Sequence, residues 1–89
     1  MKVRDNFILR TIAQEQLLIP TGEAALSVKG LIALSESGSF LYKKLCSDCT
    51  REDLIAALTQ EYDVPASVAE KDIDAFLDQM RQLNMLVEA

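Results

Sequence analysis

Histidine is absent from all 89 residues, which removes at once the commonest general base and the commonest metal ligand. A serine triad is thereby excluded. Glycine is scarce, and Gly22, Gly30 and Gly38 fit neither the dinucleotide fingerprint nor the P-loop, so no phosphate cradle is expected. Apolar runs stop after a handful of residues, far short of the roughly 20 that span a bilayer. No membrane segment is expected. The opening MKVRDNFILR lacks the apolar block and small-residue cleavage site of a secretory signal, so the expected location is the cytoplasm. Basic residues are few as well: nine against fourteen acidic ones give a net charge of −5, and from Asp48 onward ten acidic residues face three basic ones. Affinity for a phosphate backbone comes largely from Lys and Arg that release counterions, so nucleic acid is not an expected partner.

The two cysteines, Cys46 and Cys49, form a C-x-x-C. A structural zinc takes four ligands, and no second pair of thiolates or imidazoles exists for one subunit to close the site. A redox pair of the thioredoxin type places its first cysteine at a helix N-terminus, where the dipole stabilises the thiolate. Cys46 falls at a predicted helix C-terminus, the opposite pole. The reading is two reduced thiols filling space at the joint between two helices, with a zinc shared between subunits as the alternative. The carboxylates lie along exposed helix faces without an apolar pocket to raise a pKa, so no catalytic residue, metal or cofactor is assigned.

What is present is organised around Gly30 to Leu45, GLIALSESGSFLYKKL. Leu31, Ile32, Ala33 and Leu34 form an apolar strand that cannot sit bare in water, so a cover is expected on each side, and one cover can be a ligand. Ser35 ends the strand as a helix N-cap. Beyond it Leu41 and Leu45 share a helix face with Tyr42 beside them, while Lys43 and Lys44 load cations near the C-terminal end, where the dipole favours them.

Upstream, FILRTI (7–12) and QLLIP (16–20) read as a hairpin, with Pro20 marking the end of its second strand. Thr21 to Lys29 is a connection that lets Gly30 to Leu34 return as a third antiparallel strand. Downstream, a first helix spans about Glu36 to Leu45. A second is announced by Thr50 with Asp53 three residues later, close to a capping box, and carries Leu54, Ile55, Leu58 and Tyr62 at helical spacing. Asp63-Val64-Pro65 breaks it, and a third helix runs from about Ala66 to Leu83. The tail Met85-Leu86-Val87 is too short to classify. Residues 1–89 therefore read as a single α+β domain of order β-β-β-α-α-α, large enough for one small core.

The third helix has unequal flanks. Ala69, Ile73, Phe76, Leu77, Met80 and Leu83 form its core-facing stripe. Glu70, Asp74, Asp78 and Arg81 line one side, as expected of a face in water. The other side presents Val68, Asp72, Ala75 and Gln79, a small or neutral ridge with one carboxylate. This ridge either packs on an adjoining element or forms the wall of a groove.

These residues resemble the PqqD-like family, the small coenzyme PQQ synthesis protein D and the related RiPP recognition elements, the peptide-recognition domains of ribosomally made, modified peptides. Phe7-Ile8-Leu9-Arg10 and Leu17-Leu18-Ile19-Pro20 are similar to the family's two opening strands. Leu34-Ser35-Glu36-Ser37-Gly38 with Leu41-Tyr42 is similar to its strand-to-helix signature, typically Leu-Asn-x-Thr-Gly before an apolar-Trp pair, with serines for the Asn and Thr and tyrosine for the tryptophan. Asp72-Ile73 and Phe76-Leu77 stand where the family has an Asp, an apolar residue and a Phe-Leu pair. The resemblance implies a winged helix-turn-helix arrangement in which a leader peptide adds as a strand to the third strand and is held against the third helix. It also implies a modifying enzyme as partner, often a radical S-adenosylmethionine (radical SAM) protein.

The expected function is a non-catalytic peptide chaperone. It binds a precursor's leader segment along Leu31, Ile32, Ala33 and Leu34 and against Val68, Asp72, Ala75, Phe76 and Gln79, with selectivity supplied by side chains entering pockets. A proline at Ile32 is expected to abolish binding. The alternatives are a structural or regulatory module that forms a homodimer through the same strand edge and, behind it, a DNA-binding winged helix.

Overall fold

The computed structural model describes residues 1–22, 24–27 and 30–88. Along the chain come β1 (Lys2–Val3), β2 (Phe7–Ile12), β3 (Glu15–Pro20), α1 (Ala24–Ser27), β4 (Ile32–Leu34), α2 (Glu36–Lys44), α3 (Arg51–Tyr62), α4 (Ala66–Gln82) and β5 (Leu86–Val87). The class is α+β, with an antiparallel sheet of order β2-β3-β4 and three longer helices after it. Three elements lie outside the expected outline. The one-turn helix α1 sits inside the stretch read as a connection, of which Glu23, Val28 and Lys29 fall outside the described residues. Strands β1 and β5 pair antiparallel, Lys2 with Val87 and Val3 with Leu86, and give the unclassified tail its place.

The helices begin where their caps put them. Ser35 accepts the Gly38 N–H at 3.1 Å, and Thr50 and Asp53 form a full capping box, with bonds of 3.1 and 3.0 Å. Helix α3 ends on Asp63 in the left-handed region (φ 49°), and after α4 the chain turns through Asn84 (φ 55°).

Hairpin β2–β3 closes through only two residues, Ala13 and Gln14, both at positive φ (51° and 68°). That is a type I′ turn, whose twist matches the strands it joins. It also fixes which backbone groups face which way. Residues flanking a two-residue loop exchange both of their hydrogen bonds, so Ile12–Glu15, Arg10–Leu17 and Ile8–Ile19 are the bonded pairs. The alternate residues of β3, Gln16 and Leu18, then turn their N–H and C=O groups towards Leu34 and Ile32 of β4. Two further bonds agree with this parity. The Thr21 N–H donates to the Asn6 carbonyl at 2.9 Å, and the Phe7 carbonyl, which faces away from β3, accepts the Tyr42 hydroxyl at 3.5 Å.

One apolar cluster holds the fold together. Phe7, Leu18 and Leu34 supply it from the inner face of the sheet, and Leu41, Tyr42 and Leu45 from α2 and its cap. Leu54 and Leu58 come from α3, and Ala69, Ile73, Phe76, Leu77 and Met80 from α4. Burying each of the large side chains contributes roughly 1.5–3 kcal/mol. Val3, Met85 and Leu86 join the same cluster, which explains why the two-residue strands are held in place. Of the two covers expected for β4, the described residues supply one. Leu34 is buried and Ile32 half-buried, but Leu31 and Ala33 are exposed, because the core lies on one side of the sheet only.

Candidate functional site

Strand β4 is the last in its sheet, and no strand pairs with its outer edge among the described residues. Parity divides its residues into two kinds. Ile32 and Leu34 spend their backbone groups on β3, whereas Ala33, and Leu31 just before the strand, present theirs to the open side. Gly30 introduces this edge at φ 86°, a backbone state that side chains with a Cβ rarely adopt.

Beside the edge lies a cleft of about 230 Å³. Its walls are Ala33 and Leu34 of β4, Ser35, Ser37, Gly38 and Leu41 at the start of α2, and Asp72, Ala75, Phe76 and Gln79 of α4. Six of the nine residues singled out from the sequence therefore meet here. Leu31 and Ile32 lie on the approach to the cleft along the chain, and Val68, 42% exposed, sits one turn before Asp72 outside the lining. Sequence reasoning missed Ser35, Ser37, Gly38 and Leu41 as walls. A signal existed in Gly38, a helix-weakening residue in a first turn, which marks a close approach. A Cβ there would lie 3.2 Å from Ser35 Oγ and 3.7 Å from both Leu34 Cβ and Phe76 Cδ1.

The electrostatics of α4 are uneven. Asp74 takes a two-pronged pair from Arg51 of α3, at 2.9 and 3.0 Å, which holds its carboxyl below the usual aspartate range. Asp78 pairs with Arg81, which also grips Glu88 at 2.8 Å. Asp72 makes no ion pair among the described residues. A second depression continues from Ala33 and Leu34 past Glu36 and Ser39 to Gln14, Glu15 and Gln16 at the hairpin turn. Among the described residues neither depression has a lysine or arginine in its lining.

The cysteines stand apart from this cleft. Both are free thiols, and the space-filling role holds only for Cys49, which is half-buried. Burial pushes its thiol pKa up, which disfavours the thiolate. Cys46 is exposed, because Leu45 has taken the core position at the end of α2. Among the described residues no group of three or more His, Cys, Asp or Glu side chains could hold a metal ion, and no helix is long and apolar enough to cross a membrane.

Residues 21–86 match the family described as coenzyme PQQ synthesis protein D (PqqD). The chain belongs to the PqqD family. The matched stretch contains every residue that lines the cleft. Hairpin β2–β3 precedes it, yet the PqqD-family chain has a solved structural neighbour over its whole length. That structure is "TbiB1 in Complex with the TbiA(beta) Leader Peptide", similar with a TM-score of 0.76 at 22% sequence identity, covering 100% of this chain and 99% of that one. At this identity the likeness is one of fold. No curated protein sequence matches this PqqD-family member.

Proposed function

We propose that this chain is a non-catalytic, cytoplasmic peptide-binding domain. It receives the leader segment of a ribosomally made precursor as an added strand on β4 and presents it to a modifying enzyme, for which a radical SAM protein is our first candidate. The observation that carries the reading is the outer edge of β4, unpaired among the described residues, with Ala33 on the wall of a cleft. Membership of the PqqD family and the likeness in fold to a protein solved in complex with a leader peptide support it. In strand addition the backbone ladder supplies affinity, and pockets for alternate side chains supply selectivity. The cleft offers one such pocket, between Phe76, Leu41 and Gly38.

Parity decides how the reading is tested. The Ile32 amide bonds to β3, so a proline there damages the sheet itself, and the block expected at this position belongs one residue on. Proline is tolerated on an edge strand where its missing N–H would have faced solvent, which is the situation of Ala33. A labelled leader peptide of its cognate precursor should bind in the micromolar range or tighter. Ala33→Pro should weaken it at least tenfold while far-UV circular dichroism stays unchanged. Undiminished binding to a folded Ala33→Pro variant would remove the ladder and the proposal with it.

A further inference from the structure

We infer that the segment received by this edge is cationic, and that it places an aliphatic side chain on Phe76 and a lysine or arginine two residues away against Asp72. The inference rests on the strand-addition reading and specifies what that site selects. A strand pairing with Ala33 puts the residue opposite Ala33 on the outer face of the sheet. Its two neighbours, opposite Ile32 and Leu34, then face inward, towards the cleft and α4. Those neighbours stand about 6.6 Å apart along a strand. Phe76 and Asp72, four residues apart on α4, are separated by about 6 Å of helix rise. An added strand running along α4 therefore brings one pair of same-face side chains within reach of both partners.

The chemistry of the two positions differs. Phe76 is 5% exposed and shares the cleft wall with Leu41 and the bare backbone of Gly38. The volume, about 230 Å³, exceeds the roughly 150 Å³ cavity that accepts benzene, so one branched aliphatic side chain is readily housed. Asp72 is the charged residue of that lining, and it lacks the arginine partner that Asp74 and Asp78 have among the described residues. Glu15 and Glu36 extend the same sign of charge past Ala33 and Leu34. Among the described residues of this path an acidic segment meets like charge without a compensating cation, and a basic one does not meet that repulsion.

The test uses the full chain, labelled with ¹⁵N, and synthetic threonine-rich peptides that differ at two positions two residues apart. The pairs are Leu/Lys, Leu/Glu and Gln/Lys, titrated at low salt while the Ala33 and Phe76 amide signals are followed. Leu/Lys should bind about three- to fivefold more tightly than Leu/Glu, the modest ratio expected of a rim charge pair. Gln/Lys should bind at least tenfold more weakly than Leu/Lys, because the apolar contact is lost. In Asp72→Lys the Lys-over-Glu preference should vanish or invert. Binding at the Ala33 amide with no preference between Leu/Lys and Leu/Glu overturns the charge assignment and leaves strand addition standing. A Ala33 signal unmoved by every peptide overturns both.

Discussion

The turn between β2 and β3 offers a sharp test, because the orientation of every backbone group on β4 is inherited from it. Ala13 and Gln14 both hold left-handed backbone, at φ 51° and 68°, and neither is a residue type suited to it. That conformation costs an ordinary side chain about 1–2 kcal/mol per residue. Ala13→Asn relieves part of the first cost, since asparagine tolerates the left-handed region. Gln14→Gly removes most of the second but returns about 0.5–1 kcal/mol through the greater freedom of glycine in the unfolded chain. Taken between the ends of these ranges, the double variant should gain about 1 kcal/mol. For a domain of this size that corresponds to a melting temperature raised by about 4–8 °C. Thermal melts and urea titrations followed by far-UV circular dichroism would measure it, with an unchanged urea slope showing that compactness is the same. Ala13→Pro is the opposing control, because a ring fixed near φ −65° cannot enter the turn. A double variant that melts at or below the parent temperature would refute the type I′ assignment, whereas the outward-facing Ala33 follows from the two-residue loop length and the strand registers.

Two further outcomes follow from the packing and the charges. Ile73 has no exposed surface, so Ile73→Ala should cost about 2–5 kcal/mol, a large share of the roughly 5–15 kcal/mol that stabilises a domain. A urea midpoint barely moved by that substitution would show that the core refills the space. Arg51 lowers the carboxyl pKa of Asp74 in the folded state, so this pair adds stability above the unfolded value of 3.8 and loses it as pH falls through the lower folded value. Because both groups are exposed the effect is small and fades with salt. Asp74→Asn should make the acid-side fall in urea midpoint shallower at low ionic strength, and identical slopes would count against the pair.

The longer helices were readable because their signals are local. Ser35, Thr50 and Asp53 announce caps within a few residues of the groups they satisfy, and Ala69, Ile73, Phe76 and Met80 repeat at a period that only one fold of the backbone buries. The two-residue strands were not readable. Lys2–Val3 and Leu86–Val87 are too short to carry a pattern, and what pairs them is a contact between distant parts of the chain. The cleft was half readable. The Asp72, Ala75, Phe76 and Gln79 wall follows from helical spacing, whereas the opposing wall depends on how closely α2 approaches α4. The alternation between Leu31, Ile32, Ala33 and Leu34 was hidden for a different reason. Four apolar residues in a row look alike, and only the register inherited from Ala13-Gln14 separates the amides already engaged from those left over.

Gly38 acts as a depth gauge. Its missing methyl would have pointed between Leu34 and Phe76, so the floor of the trough is set by a single hydrogen atom. Adding that methyl back shortens the trough by about one carbon, and an occupant trimmed to match would fit the altered floor while the original would not. The position is thus a natural place to build insulated pairs of receptor and guest, each blind to the other's counterpart.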